Sequence, residues 1–389
     1  MTTAAEVSFA PDRERHSGLY IHVPFCSVRC PFCNFSITTR LDERERWMDA
    51  LETEMSIRAP EWPELFDTVY FGGGTPSLLT PRVTDRLLTR LRSAFRISSD
   101  AEVTIEMNPG DLAADDLGSL RTSGVNRLSL GVQSFDDNDL RFLGRDHTAD
   151  ASLRSFRDAR EVGFDNVSVD LLWGLPLRTR SRWLAQIERA AELEPEHVSA
   201  YCLTYEPGTE LTRRLEAGEF PRPTEGESAE VFLTTRQALQ DAGYAQYEVS
   251  SFSRSERYRS RHNRKYWEGA SYLGLGPSAH SYRDPRRFWN APSVREYMRR
   301  IESGGDATAE EETLSDDQKR LERLFLSLRT IRGLSLDSFA EDFDADLRVT
   351  RRSLLDTLVR EGLATIEGDR LSLTPTGLAN ADAIASRLR

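Results

Sequence analysis

Six short runs of β-branched and apolar residues recur along the first half of the chain, and each is followed by an amphipathic stretch. The runs occupy residues 18–23, 67–73, 101–108, 125–132, 166–174 and 197–204. Helical periodicity fills the spaces between them, most clearly over 82–95 (RVTDRLLTRLRSAF) and 151–164 (ASLRSFRDAREVGF). Parallel strands need a long crossover connection, usually a helix, so this alternation predicts βα units and a parallel sheet. Six units predict an α/β fold of incomplete parallel (β/α)6 barrel type. A chain of 389 residues exceeds one ordinary domain, so a smaller unit is expected beside the barrel.

Parallel α/β folds assemble their sites at the C-terminal edge of the sheet. Here the first run leads into a cluster of cysteines and the second into GGGTP (72–76). The third ends in Glu106 and Asn108, the fourth in GVQSF (131–135), and the fifth carries Asp170 and runs into GLP (174–176). Polar or glycine-rich residues at one edge five times over point to a composite site. With 39% hydrophobic residues the chain can bury a sizeable core, and no stretch approaches the roughly 18 apolar residues of a membrane span. The polar N-terminus does not read as a signal peptide, so a cytoplasmic protein is expected. A net charge of −12, with Lys265 and Lys319 the only lysines, argues against nucleic acid as a partner.

Three of the four cysteines, Cys26, Cys30 and Cys33, lie within eight positions on the loop after the first strand. Such spacing makes a poor disulfide framework and favours metal or redox chemistry. Structural zinc sites usually take four ligands, often as two separated pairs, and no second pair exists here. Iron–sulfur cubanes are held by cysteine thiolates, commonly four, so three would leave one iron open to a small molecule. Cys202, alone on the sixth run, reads as a buried small hydrophobe.

The Cys-x3-Cys-x2-Cys loop, with Phe32 before its third cysteine, resembles the signature of the radical S-adenosylmethionine (SAM) superfamily. The resemblance implies a [4Fe-4S] cluster whose open iron chelates SAM, and an electron donor for that cluster. Tyr20-x-His22-x-Pro24-Phe25-Cys26 with GGGTP, GVQSF and GLP resembles the oxygen-independent coproporphyrinogen oxidase branch over roughly residues 18–290. It implies that Gly73, Gly74 and Thr75 present backbone groups to the methionine end of SAM, and that Arg145 pairs with its carboxylate. Glu106, Gln133 and Asp170 would accept from its amine and ribose, with Tyr20 and Phe32 lining the pocket. Taken alone, Arg145 could equally be an ordinary surface group.

Within that branch two features favour the paralogous HemW group of haem chaperones over the decarboxylating enzyme. Position 35 is phenylalanine where the decarboxylase usually has a further cysteine, and only 25 residues precede Cys26. RHNRKYWEG (261–269) resembles the HNxxYW motif of the HemW group, and YLGLGPSAHS (272–281) its glycine-rich companion. The resemblance implies haem as cargo and a haem-acceptor protein as partner, membrane-associated acceptors included although the chain has no membrane segment. His262 is then the first choice for an axial ligand, Tyr266 and Trp267 offer flat aromatic surface, Arg261, Arg264 and Lys265 could meet propionates, and His280 is the second choice of ligand. On residues alone, core packing for Tyr266 and Trp267 and a satisfied polar role for His262 is the preferred reading. The rival reading is an enzyme whose 5′-deoxyadenosyl radical attacks a porphyrinogen propionate; a third is a regulatory cluster protein.

The expected organisation is an N-terminal extension (1–17), the barrel core (18–210), an extension carrying HNxxYW (211–304) and a winged-helix-like α+β unit (305–389) that opens on a polar linker. That last unit, with two or three helices, a strand–turn–strand about Glu367-Gly368-Asp369 and a final helix, reads as a lid or interaction surface.

Overall fold

The computed structural model describes residues 16–176 and 178–389. Strands β1 (Ser17–Val23), β2 (Leu65–Gly73), β3 (Arg96–Met107), β4 (Arg127–Gln133), β5 (Val167–Trp173) and β6 (His197–Cys202) lie side by side in chain order. Every neighbouring pair among them is parallel. The crossovers are helical: α1 (Arg44–Arg58), α2 (Pro81–Ala94), α3 (Ala114–Ser123), α4 (Asp137–Phe142), α5 (Ala149–Glu161) and α6 (Arg180–Glu192). Threonine starts three of them. Thr80, Thr148 and Thr179 each accept a hydrogen bond from the backbone N–H three residues on, and Pro81 follows Thr80 where a missing N–H costs nothing.

Side chains alternate across each strand. Leu19 and Ile21, Val69 and Phe71, and Val103 and Ile105 belong to the main apolar core. Their neighbours Tyr20, Tyr70 and Glu106 point to the opposite, luminal face, where Tyr20 stacks on Tyr70 and Tyr70 donates to Glu106. The lumen is therefore polar.

The sheet is twice as wide as the six runs suggested. Beyond β6 lie β7 (Ala245–Gln246) and β8 (Ser251–Ser253), and beyond β1 lie β9 (Tyr272–Leu275), β10 (His280–Arg283), β11 (Arg286–Asn290) and β12 (Thr308–Thr313), giving an open sheet of 12 strands. Strands this short carry too little periodicity to stand out in sequence. β9 runs parallel to β1, so it ends at the same edge as the cysteine loop. Residues 308–313, expected to be linker, pair instead as an edge strand with β11. Arg286 to Glu311 at 2.5 Å and Arg287 to Glu312 at 3.3 Å supply the cross-strand attraction that its acidic sequence conceals.

The C-terminal residues form a small sheet of β13 (Leu334–Ser335), β14 (Ala364–Glu367) and β15 (Arg370–Leu373) in the order β13-β15-β14. The β14–β15 hairpin turns at Gly368 with φ of +60°, a conformation glycine adopts without cost. Helices Asp316–Leu328, Leu336–Phe343, Arg352–Arg360 and Ala381–Leu388 surround it and enclose a second apolar core that includes Leu324, Phe339 and Leu371. Among the described residues no helix is long and apolar enough to cross a membrane. The N-terminal extension expected over 1–17 lies outside the described residues up to 15, and Ser17 already belongs to β1.

Candidate functional site

The six parallel strands deliver their C-terminal ends to one cavity. Cys26, Cys30 and Cys33 line it together with Phe32, Gly73, Gly74, Thr75, Glu106, Gln133, Arg145 and Asp170. Of the residues proposed for the SAM and cluster site, only Tyr20 lies off this cavity, one layer deeper in the lumen.

The cysteine loop is held by its neighbours. The N–H groups of Gly74 and Thr75 donate to the carbonyls of Val23 at 2.8 Å and Phe25 at 2.7 Å, and Thr38 N–H donates to Pro24 O at 2.7 Å. A Cβ on Gly74 would lie 2.7 Å from Phe25 O, so only glycine lets β2 pass this close to the start of the loop. With Gly73 N–H donating to Glu106 at 3.2 Å, all three N–H groups of the glycine motif are taken. What the motif can present to a ligand is carbonyl oxygen, and a carbonyl suits an amino group, which donates.

All three thiols are free and partly exposed. Burial pushes the Cys26 thiol up to about 11 and raises that of Cys33, with Thr75 Oγ1, 3.5 Å from Cys26 Sγ, pulling the other way on Cys26. Arg145 Nη1 lies 3.6 Å from Cys30 Sγ. A coordinating metal deprotonates such thiols outright. All three line one cavity, and three thiolates on one wall suit a cubane, whose irons sit at separate corners. The residues thus fit a [4Fe-4S] cluster.

Arg145 is fixed by Asn108 Oδ1 and by Gly131 O at 3.1 Å, and its Nε is buried with no partner. The Arg145 side chain lines this cavity, and a planar guanidinium fork suits a carboxylate ligand. Glu106 accepts from Tyr70 Oη at 2.8 Å, and burial pushes its carboxyl up to about 7. Asp170 accepts from Ser129 at 2.8 Å and Ser168 at 2.9 Å. Gln133 sits at φ of +62°, beside a register shift between β4 and β5 that re-aims the strand end. Asn108 ties Arg145 to Thr75 Oγ1, the latter at 3.2 Å. Asn108, marked from sequence only as a strand-end residue, lines the cavity, as do Ser129 and Tyr201, which the sequence reading did not single out. Alternation within each strand was the signal that could have found Ser129 and Tyr201.

The HNxxYW segment folds as the helix Arg261–Glu268 across the opposite end of the lumen. The Glu102 carboxylate accepts from the N–H groups of Arg261 and His262, each at 3.0 Å, where a helix N-terminus favours negative charge. His262 is 1% exposed. Its Nδ1 meets Thr68 Oγ1 at 2.8 Å, its Nε2 meets Tyr266 Oη at 2.9 Å, and burial pushes its pKa down to about 3. A neutral imidazole with both nitrogens hydrogen-bonded has no lone pair left for iron. The expectation of His262 as axial ligand is therefore revised: here it plugs the barrel.

Its neighbours change meaning too. Tyr266 lines the luminal cavity and also, together with Trp267, a cavity against the C-terminal unit, while Trp267 alone of the two reaches a third cavity beside that unit. Lys265 bonds Asp67 at 2.6 Å, Arg261 bonds Asp67 at 2.9 Å, and Arg264 bonds Glu268 at 2.8 Å, so each of these cations already has a carboxylate partner, two of them sharing one. Cys202, expected to be buried, is exposed at the end of β6 and lines a different cavity. His147 and His197, given no role from sequence, bond Val132 O and the Ser168–Tyr247 pair.

The radical SAM superfamily profile matches residues 20–190, and the HemN C-terminal domain profile matches 314–379. A protein of Bacillus subtilis (strain 168) named heme chaperone HemW is 34% identical over 362 residues, covering 92% of this chain and 95% of that one. A heme chaperone HemW of Mycobacterium tuberculosis is also 34% identical, covering 97% and 96%. Among solved structures, coproporphyrinogen III oxidase (HemN) from Escherichia coli, described as a radical SAM enzyme, superposes with a TM-score of 0.84 at 27% identity over 96% of this chain and 90% of that one.

Proposed function

Because the chain belongs to the HemW family of the radical SAM superfamily, we propose that it takes up haem and passes it to an acceptor protein, with a [4Fe-4S] cluster and SAM as its resident cofactors. The observation that carries this reading is likeness to heme chaperones along nearly the whole chain, combined with a cysteine loop that opens on a cavity able to take a cluster. Cys26, Cys30 and Cys33 would hold the cluster. Arg145 would receive the SAM carboxylate, Glu106 and the Gly73–Thr75 carbonyls its amine, and Gln133 and Asp170 its ribose.

When bound, the cluster supplies one-electron reducing power and an iron able to chelate SAM. The chain does the rest: Glu106 presents a carboxylate to a cationic ligand, Asn108 holds Arg145 in place, and Phe32 and Leu172 exclude water from the cavity wall. An electron donor for the cluster and a cytoplasmic setting, with soluble or membrane-associated acceptors, belong to the same proposal.

The test is a parallel assay on anaerobically purified protein carrying its cluster. Stoichiometric haem uptake, followed by transfer to an apo-haemoprotein, is the expected result. Coproporphyrinogen III should be returned unchanged under reducing, SAM-replete conditions. Sustained formation of protoporphyrinogen would overturn the chaperone reading in favour of a decarboxylase.

A further inference from the structure

A second cavity of about 440 Å³ opens beside the first at the same edge of the sheet. The two share Phe35, Gly73 and Glu106 as a wall. The second is closed on its other sides by Tyr20 and His22 of β1, by Tyr266 and Tyr272, and by Ser278 and His280. Gly274 on β9, the register partner of Tyr20, lets the backbone at the start of β10 come close, since a Cβ there would lie 2.3 Å from His280 O.

Three histidines lie in or near this space. His262 is sealed below, as described. His22 uses both ring nitrogens, on Tyr20 Oη at 3.1 Å and Ser36 O at 2.8 Å. His280 is exposed and its ring nitrogens make no hydrogen bond among the described residues; its ring rests on Trp289 at 5.4 Å with an interplanar angle of 21°. It is a braced imidazole with its lone pair free, which is what a metal ligand needs.

Phe35 completes the arrangement. It is 61% exposed, whereas the chain on either side is anchored: Ser36 donates to Pro292 O and accepts from His22, and Cys33 is tied to Cys30. Its backbone is fixed and its ring is left at the lip of both cavities. An exposed aromatic there has no packing role, so it marks a surface for a flat apolar ligand.

We propose that haem docks between the cysteine loop and β10, with its iron on a ring nitrogen of His280 and one face of its macrocycle against Phe35. This rests on the chaperone reading given above. No arginine or lysine lines the cavity among the described residues, so the propionates point outward into solvent. The cargo is held by one coordinate bond and apolar contact, an arrangement suited to release onto an acceptor. The edge nearest Phe35 adjoins the cluster cavity, so cargo and cofactors share a wall.

The experiment is haem titration of the cluster-loaded protein under anaerobic conditions, read by the Soret band and resonance Raman spectrum. The variants are His280→Ala, His280→Tyr, Phe35→Ser and His262→Gln. Wild type should bind haem with a histidine-ligated spectrum. His280→Ala should shift the Soret band and weaken binding at least tenfold, with added imidazole restoring the wild-type spectrum, and His280→Tyr should convert it to a phenolate-ligated one. Phe35→Ser should weaken binding severalfold with the spectrum unchanged, and His262→Gln should keep the wild-type spectrum. Iron and sulfide content should match wild type in the His280 and Phe35 variants. An unchanged Soret band and affinity in His280→Ala, or a shifted spectrum in His262→Gln, would overturn the assignment of the ligand. Failure of the wild type itself to take up haem would instead sink the chaperone reading.

Discussion

Glu106, near the end of β3, accepts from Tyr70 and Gly73 at the wall of the cysteine cavity. Its place at a strand end marks it as a site residue; its proton affinity comes from burial, which outweighs the hydrogen bonds from Tyr70 and Gly73 and lifts the carboxyl to about 7. SAM is cationic, so it binds the ionised form better. Affinity for SAM should therefore rise with pH through about 7, by about tenfold between pH 6 and pH 8, and Glu106→Gln should flatten that rise. Isothermal titration over that pH range checks it; a slope that survives in the variant would remove Glu106 from the SAM site. The cysteines give a second residue-scale prediction. Alanine at Cys26, Cys30 or Cys33 should abolish the cluster, while Cys202→Ala should retain about four irons per chain, since Cys202 lines a different cavity. Iron analysis and the absorbance of the reconstituted protein decide this.

At the scale of elements, the cysteine loop and the helix Arg261–Glu268 depend on close approach. In Gly74→Ala the new Cβ meets the carbonyls of Phe25 and Val23, which are backbone and cannot step aside. The loop should lose its anchorage and the variant should reconstitute with much less iron than wild type, while far-ultraviolet circular dichroism stays close to normal. At the other end of the lumen, His262→Ala leaves Thr68 and Tyr266 without their buried partner. It should lower stability by about 2–3 kcal/mol. Urea denaturation measures that loss, and an unchanged midpoint would mean that the ring does not hold the plug in place.

At the scale of the whole molecule, the two larger apolar cores among the described residues lie under the large sheet and within the C-terminal unit, beside a smaller cluster about Leu143, Leu203 and Phe220. Phe339→Ala, 1% exposed in the second, should cost about 3–5 kcal/mol there and bring on early cleavage in limited proteolysis of the C-terminal residues. The cluster spectrum should be unaffected, because no residue of that core lines the cysteine cavity. What the sequence by itself determined is everything carried by local pattern: six βα units, their order, the cysteine spacing and the polar residues at the strand ends all follow from periodicity and spacing along the chain. The tertiary structure decided what depends on distant partners. It turned an acidic would-be linker into β12 by setting it against Arg286 and Arg287, which lie some 25 residues away in the chain. It closed both nitrogens of His262 onto Thr68, 194 residues earlier, and onto Tyr266, while those of His280 meet no hydrogen-bond partner among the described residues. Hydrogen-bond saturation of a side chain is a property of its neighbours in space, and a motif names the residue without naming those neighbours.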